Sequence, residues 1–362
     1  MSTYTDEAVL SQSKLVWRAF RRHRLATAGL VVTALTYLVV VFAGFIAPYD
    51  TEHFVADRTY APPQALHLFG DDGFGLHTYG QRARQDPETL DITWTTDTSQ
   101  RIDIGFFVKG AEYSVLGLTL DRHLIGPVDP SQTVYFLGSD RTGHDVLSLM
   151  AYGARTSMTI GLLGVAIAFV IGITLGGISG YLAGKTDTAI QRVIEFFMSM
   201  PTLPLWLGLA AALPSDWSAL QRYFAITLIV AVIGWTDLAR VVRGRFLALR
   251  EEQYVTAARL DGSSAARIIR RHLLPSMSSH LIASLTLSIP GMILAETALS
   301  FLGLGIQAPD VSWGVLLQES QNLRAVTTAP WLLLPGLAVI VVVLALNFLG
   351  DGLRDAADPY SR

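Results

Sequence analysis

Residues 156–182 read TSMTIGLLGVAIAFVIGITLGGISGYL, a run of 27 residues without an acidic or basic side chain. As a helix this run is about 40 Å long, which exceeds the roughly 30 Å hydrocarbon core of a bilayer. The whole chain has 362 residues, of which 51% are hydrophobic and 16% charged. The run therefore predicts a membrane-spanning helix, and the composition excludes a disordered chain and a nucleic-acid binder with a basic arm.

Five further apolar runs have similar length and composition. They are Leu25–Ala47, Ile194–Leu213, Tyr223–Val242, Leu281–Leu304 and Trp331–Leu349. We therefore expect an all-α membrane protein with six transmembrane helices. The corresponding divisions are an N-terminal segment 1–24, a first helix 25–47, a large extracytoplasmic loop or lobe 48–155, a five-helix core 156–349 and a C-terminal tail 350–362.

The distribution of Lys and Arg predicts the orientation of these helices. Six helices place both termini on one side of the membrane, and that side holds 17 of the 27 Lys and Arg residues. Most of the others lie in the loop 48–155, which is so long that its charges have little influence on topology. We expect a multi-pass protein of the cell (inner) membrane with both termini in the cytoplasm.

The long loop 48–155 carries more acidic than basic residues, and its segments 102–108 and 113–120 have strand-like composition. A solvated acidic cap is one interpretation, and a docking or substrate-gating surface is the other. Its histidines His67 and His77 and the pair Asp71 and Asp72 do not have the spacing of a metal site. We expect no metal there.

No catalytic site or cofactor is expected in this chain. It contains no cysteine, which excludes disulfides, thiolate metal sites and a Cys nucleophile. Residues 180–186, GYLAGKT, imitate a phosphate-binding loop, but one residue is missing between the glycines and an apolar helix precedes them. We therefore exclude ATP binding by this chain and expect that it is not an enzyme.

Two features inside the apolar runs suggest roles. Four glycines recur every four residues, which places them on one helix face where a second helix can approach closely: Gly172, Gly176, Gly180 and Gly184. Glu296 lies within the fifth run, where a carboxylate costs roughly 2.5 kcal/mol or more. It is a candidate residue of a translocation path, or it forms a structural hydrogen bond to a neighbouring helix.

The segment from about residue 243 to 278 is basic and helical in pattern, with a break at Gly262 and a stop at Pro275. Physical chemistry alone predicts an amphipathic helical hairpin. Such a hairpin lies on lipid headgroups or docks in a groove of a cytoplasmic partner.

The spacing in this segment resembles that of the EAA loop of ABC-transporter permease subunits. Thr256-Ala257-Ala258, then Gly262, then Leu274-Pro275 follow the family pattern, with Thr256 where Glu is general and His272 where Ile is general. The segments LGSDRTGHDVL (137–147), ETALSFLGLG (296–305) and NFLGDGLRDAADP (347–359) are similar to the dipeptide/oligopeptide branch. His144 stands where that branch usually has Arg.

The resemblance implies a permease of a binding-protein-dependent importer. Its partners would be a second homologous permease in a heterodimer, two cytoplasmic ATP-binding subunits, an extracytoplasmic substrate-binding protein and membrane lipid, with no nucleic acid. Coupling to the ATPases is implied for the following residues of the EAA segment: Tyr254, Thr256, Ala257, Ala258, Gly262, His272, Leu274 and Pro275.

The expected cargo is a di- or oligopeptide, and an oligosaccharide or another solute is the alternative within the same mechanism. Two rival classes differ in mechanism. One is a proton-coupled secondary transporter with Glu296 as its proton site. The other is a membrane receptor whose acidic outer loop binds a ligand.

Overall fold

Helices dominate the chain, because a helix satisfies its backbone hydrogen bonds internally where no water is available. The computed structural model describes residues 12–70, 73–85, 87, 92–115, 117–214 and 216–357. The α-helices are α1 Gln12–Arg22, α2 Arg24–Val41, α3 Ala43–Ile46, α4 Val146–Leu182, α5 Gly184–Ser199, α6 Thr202–Ala211, α7 Ala219–Leu249, α8 Gln253–Leu260, α9 Ala265–Ile268, α10 Leu274–Ser276, α11 Ser278–Phe301, α12 Trp313–Gln318, α13 Leu323–Thr328 and α14 Leu334–Ala357. Short 3₁₀ segments occur at Ala56–Arg58, Glu319–Gln321 and Pro330–Leu333, and Ile269–Leu273 is a π-helical turn.

Five stretches of the described chain are long and apolar enough to cross a membrane. They are Arg24–Val41, Val146–Leu182, Ala219–Leu249, Ser278–Phe301 and Pro330–Ala356. The helices α5 and α6 together qualify as a sixth span, although they meet at an angle of 86°. Five to six candidate spans agree with the predicted membrane core.

The third predicted span, Ile194–Leu213, is not one straight helix. It breaks between α5 and α6, where Met200 and Pro201 are both extended with ψ of 137° and 123°. Proline has no N–H for the helix ladder, and its ring disfavours helical geometry in the residue before it. Pro290 has no such effect, because α11 continues through it.

The all-α prediction is wrong for the segment between α3 and α4. Four antiparallel strands lie there in the order β1 His67–Gly70, β2 Gly73–Gln85, β3 Ile92–Val115 and β4 Leu118–Pro127. Ile102 and Ile104 point to one face of β3 and are buried with Val134. Alternation of this kind stabilises a strand by burying every second side chain, a pattern that membrane-span counting does not detect.

The chain folds as two compact units. One comprises residues 1–34, 159–299 and 340–362, of which 12–34, 159–214, 216–299 and 340–357 are described. In this unit Phe20 of α1 is buried against Ala26 of α2 and against Leu349 and Ala356 of α14.

The second unit comprises residues 35–158 and 300–339. In one buried cluster, Ala43 and Ala47 pack against Ala151 of α4. In another, Ile102 and Ile104 of the sheet pack against Val134. Trp313 is anchored beside α4, because its backbone N–H donates to Ser157 Oγ at 3.1 Å and its indole N–H donates to the Met150 carbonyl at 3.1 Å.

Three of the four predicted packing glycines face α7. A Cβ built on Gly172, Gly176 or Gly180 would lie 3.0, 2.5 or 2.6 Å from a backbone carbonyl oxygen of α7. Only glycine allows such a close helix approach. Gly184 is different, because α4 ends at Leu182; Gly184 opens α5 with φ of +61°, and a Cβ there would meet nothing within 4 Å.

This packing predicts opposite effects for two Gly→Ala substitutions. Gly180→Ala should destabilise the protein by about 1–3 kcal/mol, because its methyl group meets the Arg243 carbonyl oxygen. Gly244→Ala on α7 should be neutral or stabilise by about 0.5–1 kcal/mol, since its methyl group meets no atom within 4 Å. Thermal unfolding of the purified variants in detergent measures both. An unfolding temperature of Gly180→Ala at or above that of the wild type would contradict the close α4–α7 contact.

Candidate coupling segment and neighbouring sites

The segment after α7 folds as a short helical hairpin. Residues 250–252 form a turn, α8 follows, and Gly262 lies in the turn that leads to α9. The Ser264 side chain caps α9 by accepting a hydrogen bond from the Arg267 N–H at 3.4 Å. The chain then passes through the π-helical turn 269–273 into α10, which has Pro275 in its first turn.

Gly262 is required by its backbone conformation. Its φ is +74°, a left-handed value that other L-residues adopt only with strain. The N–H of Ser263 donates to the Ala258 carbonyl and the N–H of Gly262 donates to the Arg259 carbonyl, both at 3.0 Å. This pair of bonds is a Schellman motif, which ends α8 and satisfies its last carbonyls.

The predicted coupling residues divide between an inner and an outer face. Ala258 is buried, as are Val255 and Leu273, which sequence reasoning did not single out. The outer face includes exposed Thr256 and Ala257. It also includes Leu260, a residue missed in the sequence analysis, whose side chain is 84% exposed at the end of α8.

The hairpin brings Tyr254 and His272 together. Their ring centroids are 6.3 Å apart with an interplanar angle of 46°. Leu274 is half-buried and Pro275 is exposed, immediately after the buried Leu273. The segment is therefore a folded element with buried anchors and an outward face, and not an unstructured loop.

Two side-chain contacts join this region to α4 and α5. The Arg243 guanidinium on α7 donates to both carboxylate oxygens of Asp187 on α5, at 2.5 and 2.6 Å. The Arg259 guanidinium on α8 lies over the Tyr181 ring, 5.2 Å from its centroid. Neither contact was predicted, since the paired residues are far apart in sequence and no local pattern links them.

Glu296 lies on α11 and has no exposed surface within this chain. Because the side chain is fully buried, it does not line an open cavity of the single chain. Both interpretations from the sequence, a residue of the path and a structural residue, place it inside the helix bundle.

The segment 137–147 forms an ordered loop in the second unit that leads into the first residues of α4. Asp140 Oδ1 accepts hydrogen bonds from the backbone N–H groups of Thr142 and His144, at 2.8 and 2.9 Å. The Trp331 indole N–H donates to the Ser139 carbonyl at 2.9 Å. A Cβ on Gly138, where φ is +85°, would lie 2.6 Å from that indole, so glycine is needed on both grounds.

The same loop borders a cavity of about 720 Å³ whose walls carry charged groups. Glu319 accepts hydrogen bonds from the Tyr60 hydroxyl at 2.8 Å and from the Arg141 N–H at 3.1 Å, while its burial raises the pKa of its carboxyl group. The hydrogen bond between His144 Nδ1 and Asp140 Oδ2, at 3.2 Å, raises the pKa of the imidazole.

The pKa of the Asp140 carboxyl group is lowered, whereas those of Glu319 and His144 are raised. Burial opposes its ionisation, but the hydrogen bonds from His144 and Thr142 outweigh burial and lower the pKa of its carboxyl group. Asp145, which follows His144, is buried more deeply than Asp140. Its burial raises the pKa of its carboxyl group to about 7, although the Ser148 N–H and hydroxyl both donate hydrogen bonds to it.

The histidines His67 and His77 lie on paired strands with their ring centroids 5.7 Å apart. Asp71 and Asp72 lie outside the described residues. Within the described ranges, no group of three or more His, Asp or Glu side chains has an arrangement that could hold a metal ion.

Comparisons with known proteins identify relatives across most of the chain. The family described as "Binding-protein-dependent transport system inner membrane component" matches residues 172–362, and "N-terminal TM domain of oligopeptide transport permease C" matches residues 11–63. The dipeptide transport system permease protein DppC of Bacillus subtilis (strain 168) is 30% identical over 357 residues, which cover 98% of this chain and 87% of that protein.

Two further similarities were found. The oligopeptide transport system permease protein OppC of Haemophilus influenzae is 37% identical over 243 residues, covering 67% of this chain and 76% of that protein. A solved structure of the MetNI methionine ABC transporter in an inward-facing conformation aligns with 58% of this chain and 96% of that chain, at a TM-score of 0.44 and 20% identity.

Two histidines of the second unit should titrate differently: His144 in the loop 137–147, and His53, whose Nε2 lies 3.3 Å from Thr133 Oγ1. His144 should titrate above the ordinary value of 6.5, because the bond to Asp140 raises its pKa, and His53 should titrate below 6.5, because burial lowers its pKa. The His144–Asp140 bond then stabilises the fold fully below about pH 6.5 and is lost as the pH rises through the folded-state pKa of His144. NMR of imidazole-labelled protein measures both values, with His144→Gln for assignment.

Asp140→Asn is the control for this titration, and it should lower the pKa of His144. A pKa of His144 below that of His53 in the wild type would contradict the described hydrogen bond.

Proposed function

Because the chain belongs to the family of binding-protein-dependent transport system inner membrane components, in its dipeptide and oligopeptide permease branch, we propose that it forms half of the translocation path of an ATP-driven peptide importer. A permease of this kind is not itself an enzyme. It works with ATP-binding subunits, which hydrolyse ATP, and with another permease.

The fold of the hairpin around Gly262 is the observation that carries this proposal. A short helix with exposed Thr256, Ala257 and Leu260 ends in a tight turn, while Val255 and Ala258 anchor it from beneath. A compact protruding helix of this form suits docking into a groove of a partner protein. The partner proposed for it is the cytoplasmic ATPase.

Four other predicted coupling residues shape the hairpin in this proposal. Tyr254 and His272 hold the two arms of the hairpin together, and Leu274 and Pro275 direct the chain from the hairpin into α11. Arginines on the same segment supply rim charges that favour docking: Arg250, Arg259, Arg267, Arg270 and Arg271. ATP binding in the partners would favour one of two arrangements of the helices, and so alternate the access to the path.

The proposed cargo is a di- or oligopeptide, which the names of the relatives DppC and OppC support. An extracytoplasmic binding protein would deliver it to a heterodimer of this chain and a second permease. Both termini would lie in the cytoplasm, and the sheet of residues 67–127 would lie outside, within the loop 48–155. Glu296 would support the path from within the helix bundle.

Gly262→Glu should leave the protein in the membrane and abolish most of its transport. Glutamate at φ of +74° is strained by about 1–2 kcal/mol, and its side chain adds bulk and negative charge at the tip of the proposed docking element. The measurement is uptake of a labelled peptide into proteoliposomes that hold the complex with its ATPases and binding protein.

Gly262→Asn is the matched control, because asparagine tolerates the left-handed conformation better than other residues with a side chain. It should retain more uptake than Gly262→Glu. Uptake by Gly262→Glu at the wild-type rate would rule out the coupling role of this turn.

A further inference from the structure

The connection between α4 and α5 is a sharp break in the backbone. Ala183 and Gly184 both have positive φ, +56° and +61°. Two such residues in succession end the helical path of α4, so the direction of α5 does not follow from α4. Side-chain contacts beyond the break must therefore fix the direction in which α5 leaves it.

Asp187, in the first turn of α5, makes the strongest of these contacts. It pairs with both the Nε and the Nη2 nitrogen of Arg243 on α7, and its Oδ1 also accepts from the Ser179 hydroxyl on α4 at 2.5 Å. The Asp187 side chain is 15% exposed and that of Arg243 31%. A two-point pair constrains orientation as well as distance, because the guanidinium and the carboxylate must lie nearly in one plane.

The other side of the break is tied to the coupling hairpin. Tyr181, near the end of α4, lies under the guanidinium of Arg259 on α8. Thus α8 contacts the last turn of α4, and α7 holds the first turn of α5. Since α7 leads into α8 through the turn 250–252, both anchors belong to one continuous stretch of chain.

The far end of α5 leads into α6 through the 86° bend at Pro201. Phe197, near this bend, packs edge-on against Trp235 of α7, with ring centroids 6.2 Å apart. The Phe197–Trp235 contact at one end of α5 and the Asp187–Arg243 pair at the other both hold α5 to α7, and a rotation of α5 about the break at 183–184 would swing α6.

We propose that Asp187 and Arg243 are positioning residues that transmit displacement of the coupling hairpin to α5 and α6. The inference rests on the proposed function, in which an ATPase moves α8. The ion pair makes α5 follow α7, and the broken connection at 183–184 lets α5 turn without unwinding α4. Without the pair, the hairpin would still dock and the ATPases would still turn over, but α5 would be held to α7 by the Phe197–Trp235 contact alone, so α5 and α6 would follow less closely.

Asp187→Asn tests this separation of docking from transmission. The variant complex, reconstituted with its ATPases, second permease and binding protein, should retain ATP hydrolysis within about twofold of wild type. Peptide taken up per ATP hydrolysed should fall roughly tenfold, within the 2- to 30-fold range expected for a residue that couples two sites. A residue needed only for assembly would lower both quantities together.

Two further variants identify the ion pair as the cause. Arg243→Lys keeps the charge but not the two-point geometry, and it should lower uptake per ATP less than Asp187→Asn does. The exchanged pair Asp187→Arg with Arg243→Asp should restore a substantial part of the coupling. Arg192→Gln is the matched control, since the Arg192–Glu195 pair lies on the same helix but is 77% and 50% exposed; its uptake per ATP should equal that of wild type.

Three results would overturn the proposal: wild-type uptake per ATP in Asp187→Asn, absence of rescue by the exchanged pair, or loss of assembly in Asp187→Asn and the exchanged pair alike. The last would make the pair a stabilising contact. Failure of the proposed function has a different signature, because the wild-type complex itself would then show no ATP-dependent uptake.

Discussion

The absence of water in a bilayer core requires every backbone N–H and C=O to find its partner within the protein, and this constraint accounts for most of the architecture. Long helices satisfy it without help from neighbours. The interruptions of those helices are therefore the informative positions. Met200–Pro201 turns the chain by 86°, Ala183–Gly184 separates α4 from α5, and Gly262 closes α8 with a Schellman motif. The ring of Pro201 and the left-handed conformation of Gly262 explain two of these breaks, and each of the three lies next to a segment with a proposed role.

Close packing of α4 against α7 brings the break at 183–184 near the hairpin. Gly172, Gly176 and Gly180 allow α4 to lie against the backbone of α7, which brings the end of α4 beside the end of α7 and the hairpin that follows. Arg243 and Arg259 then reach across to α5 and α4 from that one stretch of chain. Movement of the hairpin thus has a short path of contacts into α4 and α5.

Hydrophobic run length was sufficient to predict the membrane core, and motif spacing was sufficient to locate the hairpin at Gly262. Run length does not predict the angle between α5 and α6 at Pro201, because a straight helix and a bent one can have the same apolar sequence. The all-α prediction is wrong for residues 67–127, because the segments 102–108 and 113–120 have strand-like composition but the pairing of the strands depends on distant partners. The Asp187–Arg243 pair joins residues 56 positions apart in sequence, so no local pattern predicts it.

We propose that ATP, used by partner subunits, drives a peptide through a path to which this chain contributes. The most direct measurement is uptake into sealed proteoliposomes containing the full complex and its binding protein, with a labelled peptide and a labelled oligosaccharide in competition. We expect peptide uptake that requires ATP on the hairpin side and does not respond to a pH gradient. Uptake of the oligosaccharide alone would contradict the proposed peptide cargo. Uptake driven by a pH gradient without ATP would contradict the ATP-driven mechanism itself.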